Sequence, residues 1–179
     1  MKPQNVLSIN GVNLTLFIEN EKIKSKVSQI AEQLRAKYEG EIPVFLCVLR
    51  GAFIFAADLV RAYKGSCEIS FIRLSSYEGT ESTGVVKSVS GLPSNLAGRH
   101  VVVVEDIVDT GLTMSELKKM LMKEMPKSVE IATLFTKPSK LKCDVKVDYN
   151  CFEIPDKFIV GYGLDYNGLY RNLPDVYCK

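Results

Sequence analysis

Ile23, Val27, Ile30, Ala31 and Leu34 recur at intervals of three and four between lysines and glutamates. That spacing lines one side of a helix and predicts an amphipathic α-helix over residues 19–38, closed by Gly40 and Pro43. Val44 to Leu49 follows as a short, almost wholly apolar run; after Arg50-Gly51 the chain is again helix-compatible from Ala52 to Tyr63. This is the pattern of a strand, a tight turn and a helix. Ile69 to Leu74 predicts a second strand. Ser75 to Ser90 consists mostly of Ser, Thr, Gly and Glu, and this shortage of apolar anchors predicts a mobile loop. Val101 to Val104 supplies four β-branched residues in succession, which suits a central parallel strand covered on both faces. A helix is expected from Thr113 to Lys123, then a buried strand from Val129 to Thr136. Later apolar segments at Cys151 to Ile154 and Phe158 to Tyr162 are separated by Pro155-Asp156. The alternation implies an α/β fold, a central parallel sheet flanked by helices. No repeat, low-complexity tract or linker divides the chain, so residues 1–179 read as one domain.

Composition narrows the function classes. The chain has 179 residues, 46% of them hydrophobic and 25% charged, enough to bury a core. Lys and Arg total 23 against 21 for Asp and Glu, so a net charge of +2 gives no general pull toward nucleic acid or an acidic membrane. Any phosphate binding must be local. The five cysteines are scattered and never form C-x-x-C, which indicates neither a zinc site nor a disulfide framework and fits a reducing, cytoplasmic compartment. Residues 1–10 lack the basic patch and apolar run of a secretory signal, and no apolar stretch reaches membrane-spanning length. His100 is the one histidine, at the start of an apolar strand, which removes most triad and histidine-relay mechanisms.

In an open parallel sheet, ligands bind beyond the carboxyl ends of the strands, so the residues after Val104 are the first place to look. They read Glu105-Asp106-Ile107-Val108-Asp109-Thr110-Gly111-Leu112-Thr113. Crowded carboxylates at a strand end repel one another unless a metal ion or a polyol accepts them. Glu105 and Asp106 are adjacent and reach one ligand only if the strand has ended by about residue 105. The turn that follows offers free amides at a helix start, with the Thr110 and Thr113 hydroxyls, for a phosphate. Thr113-x-x-Glu116 also reads as a capping box, which would satisfy that helix start without a ligand.

The string VVVVEDIVDTGLT at residues 101 to 113 resembles the phosphoribosyl pyrophosphate (PRPP) signature of type I phosphoribosyltransferases. FEIPDKFIVGYGLDYN at residues 152 to 167 is similar to the base-pocket segment of the hypoxanthine-guanine members. Leu49-Arg50-Gly51 and Ser76-Tyr77 fall where that family has its pyrophosphate loop and its lid. The resemblance implies that family's fold, with a small hood formed by the terminal segments. It implies that Glu105 and Asp106 hold the ribose hydroxyls and a magnesium ion, and that Asp109, Thr110, Gly111, Leu112 and Thr113 cradle the 5-phosphate. Asp109 would also act as general base toward N7 of the purine. Lys137 would donate to a 6-oxo group, Phe158 would stack on the base, and the Ile159 backbone would read its edge. Arg50, Gly51 and Arg171 would face pyrophosphate, Asp165 would hold a second magnesium, and the peptide before Arg50 would be cis. Leu112 departs from members with lysine inside this loop. Without the resemblance, Lys137 reads as a solvated loop lysine, Phe158 and Ile159 as strand core, and Arg171 as a surface arginine.

The implied reaction passes PRPP and a 6-oxopurine, hypoxanthine and also guanine, to a nucleotide and pyrophosphate. The implied assembly is a homodimer or homotetramer. A second reading stays open: a nucleotide-sensing, RNA-binding regulator on the same fold. So does a phosphoribosyltransferase for another base.

Overall fold

The computed structural model describes residues 5–9, 11–76, 86–88 and 92–179. Two short antiparallel strands, β1 (Val6–Ile9) and β2 (Val12–Ile18), open the chain and lead into helix α1 (Asn20–Lys37). There follow β3 (Val44–Leu49), α2 (Phe53–Ala62), β4 (Glu68–Ser76), β5 (Val86–Ser88), β6 (His100–Val108), α3 (Leu112–Met122) and β7 (Ser128–Thr136). A short 3-10 turn (Pro138–Lys140), β8 (Tyr149–Glu153), β9 (Ile159–Val160) and β10 (Val176–Cys178) complete the described elements.

The main sheet has the order β5-β4-β3-β6-β7-β8. All its pairs are parallel except β5 on β4. Alternation along the strands explains how both faces are covered. Phe45, Cys47, Val102, Val104, Ala132 and Leu134 pack with Ile23, Val27, Leu34 and Phe55, Leu59 of α1 and α2. The intervening Leu46, Val48, Val101, Val103 and Ile131 pack on the other face with Met114, Leu117 and Leu121 of α3. Successive side chains on a strand point opposite ways, so an unbroken apolar run is what a sheet buried on both sides requires.

A second, smaller sheet, β1-β2-β10-β9, joins the two ends of the chain. It is the expected hood. Asp175, just before β10, accepts a hydrogen bond from the Asn20 amide at 2.8 Å, satisfying a free donor at the start of α1. The Asn20 side chain donates to the Pro174 carbonyl at 2.7 Å.

Three sequence expectations need correction. β6 runs to Val108 rather than ending near residue 105; its pairing with β3 stops at Val104 and its ladder with β7 continues to Val108↔Thr136. Val104 and Ile107, three apart, nevertheless pack in the same core layer, so the strict alternation that would send Glu105 and Asp106 to opposite faces is broken between them. Part of the segment expected to be a loop forms β5, paired through Leu74↔Ser88. Gly111 rather than Thr113 caps α3, with no side-chain cap hydrogen bond, while Glu116 pairs with Lys119 at 2.6 Å. The capping box therefore does not form. Of the expected lid, Ser76 ends β4, and Tyr77 lies outside the described residues.

Candidate active site

Glu105 and Asp106 stand on β6 just past the point where β3 stops pairing with it. Burial, with the neighbouring Asp106 charge, pushes the Glu105 carboxyl well above its usual range. Its Oε2 is buried without a hydrogen-bond partner among the described residues. Burial pushes Asp106 up to about 6, against the hydrogen bond from the Ile107 amide and the charge of Arg171, which favour ionisation. That bond, to Asp106 Oδ1, is 2.8 Å long.

The turn after β3 closes over this pair. The Leu49-Arg50 peptide is cis, and Gly51 lies so close that a Cβ there would stand 1.4 Å from Asp106 Oδ2. Only glycine fits. On its other side the Gly51 carbonyl approaches Gly163, where a Cβ would come within 2.2 Å of the oxygen. Gly163 has a φ of 100°, and its amide donates to the Arg171 carbonyl at 2.9 Å. Arg171 in turn donates to the Gly163 carbonyl at 2.7 Å and pairs with Asp165 at 2.5 Å. Asp165 Oδ2 accepts the Gly168 amide at 2.7 Å, so both its oxygens are engaged. Arg50, Gly51, Asp106, Asp165 and Arg171, spread over more than a hundred residues of chain, are thus gathered at one edge of the sheet. Arg50 is exposed there, and Arg171 is an anchored arginine rather than a free surface one.

The other side of the site, at the same edge of the sheet, is formed by the loops after β6, β7 and β8. Gly111, at a φ of 79°, begins α3 with its backbone against Leu141, Cys143 and Val145. Leu112 and Thr113 form the first turn of α3 and are partly exposed, as is Thr110. Asp109 has one oxygen buried and unpartnered, while the other accepts from Lys140 at 3.1 Å. Lys137 is buried, only 7% exposed, and its ammonium donates to Asp156 at 3.0 Å. The solvated-loop reading of Lys137 is therefore set aside: its side chain is buried and paired.

Phe158 precedes β9 and is 46% exposed, edge-on to Tyr166 with ring centroids 5.6 Å apart. It is not strand core, and its ring is accessible for stacking. Ile159 is buried within β9. Phe158 and Tyr166 also line a cavity of about 260 Å³ with Ile9, Val12 and Leu14 of the hood.

The site therefore combines two chemistries. Amides at the start of a helix favour an anion. Buried carboxylate oxygens without partners favour a cation or hydroxyl donors. Among the described residues, no cluster of three or more His, Cys, Asp and Glu side chains forms a metal cage. The donor set fits a hard cation that brings further oxygen ligands with its substrate, the usual habit of magnesium. Asp165 has one partner on each oxygen, Arg171 and the Gly168 amide, which leaves it the remaining lone pairs for a cation. Sequence reasoning missed Lys140 and Asp156, because ordinary loop charges show no spacing signal before their loops are folded together.

A profile of the phosphoribosyl transferase domain matches residues 17–167. A hypoxanthine-guanine phosphoribosyltransferase of Aquifex aeolicus is 42% identical over 171 residues, covering 94% of this chain and 96% of that one. The crystal structure of a hypoxanthine-guanine phosphoribosyltransferase from Bacillus anthracis superposes with a TM-score of 0.88 at 44% identity, over 92% of this chain and 97% of that one. The Trypanosoma cruzi hypoxanthine phosphoribosyltransferase, solved with its product IMP, gives 0.85 at 34% identity, over 91% and 92%. With its parallel sheet, its hood and its acidic loop at the end of β6, the chain belongs to the phosphoribosyltransferase family, in its hypoxanthine-guanine branch.

Proposed function

We propose that this chain, acting as one unit over residues 1–179, is a purine salvage transferase that joins N9 of a 6-oxopurine, hypoxanthine and also guanine, to PRPP. The bond from the anomeric carbon to N9 forms as the bond to pyrophosphate breaks, and pyrophosphate leaves with the electron pair. The observation that carries the reading is the loop after β6, where buried, unpartnered oxygens of Glu105 and Asp109 stand beside a helix start and the buried Lys137.

Asp109, its side chain 40% exposed at the end of β6, accepts the proton that the base must lose at N7. Lys137, an ammonium with donors only, favours a 6-oxo acceptor and opposes a 6-amino group. Phe158 stacks on the base and the Ile159 backbone meets its edge. Asp109 to Thr113, including the Leu112 amide, hold the 5-phosphate; Glu105 and Asp106 hold the ribose hydroxyls. Arg50, Gly51 and Arg171 receive pyrophosphate, and Ser76 and Tyr77 belong to a lid that excludes water from the reacting carbon. Glu105, Asp106 and Asp165 would hold magnesium, which when bound neutralises charge on the leaving group. Self-association as a homodimer or homotetramer and a cytoplasmic location belong to the same proposal. So does the absence of nucleic-acid binding.

The regulator reading finds no support. Lys24, Lys119, Lys127 and Lys146 each pair with a carboxylate, in keeping with basic residues interleaved with acids rather than gathered for RNA.

The test is pyrophosphate release from PRPP and magnesium, with hypoxanthine, guanine, xanthine, adenine and uracil offered in parallel. Turnover should be confined to 6-oxopurines and fall at least about a hundredfold in Asp109→Asn. Turnover on adenine or uracil alone, or an unimpaired Asp109→Asn, would overturn the assignment.

A further inference from the structure

Three loops at the carboxyl edge of the main sheet are stitched together by backbone hydrogen bonds. The Lys137 amide donates to Val108 at 3.0 Å, the Lys142 amide to Thr110 at 2.9 Å, and the Ile154 amide to Thr136 at 2.9 Å. Gly111 also packs on Leu141, Cys143 and Val145. The turn bearing Lys140 is thereby held beside the loop bearing Asp109, and the turn bearing Asp156 beside Lys137.

Across these loops runs a line of alternating charge. Asp109 Oδ2 lies 3.1 Å from Lys140 Nζ, which lies 3.5 Å from Asp156 Oδ1. The same Asp156 oxygen is 3.0 Å from Lys137 Nζ. Each interior member of the line therefore faces two groups of opposite charge. We propose that Lys140 and Asp156 are positioning residues that set the separation and aim of Asp109 and Lys137. This rests on the reading above, in which those two meet N7 and the 6-oxo group of one base.

The physical case is geometric. The reacting ends of Asp109 and Lys137 sit on different loops, and two groups that must meet neighbouring atoms of one rigid ring have to be held at a fixed separation. Lys140 holds Oδ2 of Asp109, whose side chain is 40% exposed, and so fixes the plane of the carboxylate, with Oδ1 turned to the buried side without a partner. Asp156, its side chain 55% exposed, supplies the carboxylate that neutralises the buried Lys137 ammonium and fixes where it points. Lys140 and Asp156 are too exposed for their pairs to contribute much to folding, so losing them should disturb aim more than stability.

The experiment compares Lys140→Gln, Lys140→Arg, Asp156→Asn and the double variant Asp109→Asn/Lys140→Gln with the parent, by steady-state kinetics on hypoxanthine with saturating PRPP and magnesium. Lys140→Gln should lower kcat on the order of tenfold with little change in KM for the base, and Lys140→Arg should recover most of it. Asp156→Asn should raise KM for the base by a similar factor. The double variant should be no slower than Asp109→Asn alone, because Lys140 acts through Asp109. Normal kinetics in Lys140→Gln and Asp156→Asn, or additive loss in the double variant, would overturn the inference. If Asp109→Asn is itself fully active, the function proposed above falls instead, so the two failures are distinguishable.

Discussion

Asp106 shows what a site residue costs its own fold. Its carboxyl is raised from the ordinary 3.8 to about 6, chiefly by burial. Between those values the folded state holds a proton that the unfolded chain has released, so stability falls as pH rises from about 4 to about 6 and stays lower above. Asp106→Asn should weaken this dependence, leaving the share that the buried Glu105 carries, and at pH 8 without magnesium or PRPP should stabilise the protein by on the order of 2 kcal/mol. Thermal melting of both proteins from pH 4 to 8 checks it; parallel pH profiles would refute it. The acidic character of this residue was legible in the sequence, and so was its closeness to Glu105. What was not legible is the floor beneath it, because Gly51 lies far away in the chain and touches Asp106 only once β3 and β6 pair.

At the scale of elements, Glu130 of β7 shows how the end of the sheet opposite the site is tied down. It receives the Lys37 ammonium, the Tyr38 hydroxyl at 2.6 Å and the Tyr149 hydroxyl at 3.1 Å, joining the end of α1 to β7 and β8. Burial pushes the Glu130 carboxyl up, but these three donors outweigh it and leave it below its usual range. Its contribution is therefore present above the ordinary carboxylate pKa and lost as pH falls through the lowered one. Tyr38→Phe takes away one donor from a largely buried carboxylate and should destabilise by about 1 to 2 kcal/mol in denaturant unfolding at pH 7. The loss should shrink at pH 3, and an equal loss at both pH values would speak against a charge-linked bond. The elements themselves were legible: the spacing of Ile23, Val27, Ile30 and Leu34 predicts α1 to within a residue at each end. β6 was placed but cut short, since polar residues in a strand carry no apolar signal when the ladder continues beneath them.

At the scale of the molecule, the hood depends on β10, which lies between β2 and β9 and joins the last residues to the first. The Lys179 amide also donates to the Phe158 carbonyl at 3.2 Å, linking this strand to the exposed ring. Removing Val176 to Lys179 leaves β2 and β9 without their shared partner. Hydrogen exchange should then quicken in β2 and β9 while β3, β6 and β7 keep their protection, and KM for the base should rise at least about tenfold. Uniform loss of protection would show that hood and main sheet unfold together. None of the hood's pairings was read from pattern; β1, β2 and β10 are short, and pairing between chain ends is a contact of the longest possible separation.

By itself the sequence determined the α/β layering, because apolar runs without polar alternation can be buried only between two helical layers. It also determined where the chemistry begins, since an acidic run leading into a glycine turn marks the end of a central strand. Only the tertiary structure decided that Lys137 is buried on Asp156, that Lys140 faces Asp109, and that Gly51 and Gly163 meet beside Asp106. Those contacts join loops distant in the chain, and local spacing carries no record of which loops a folded sheet will bring to one edge.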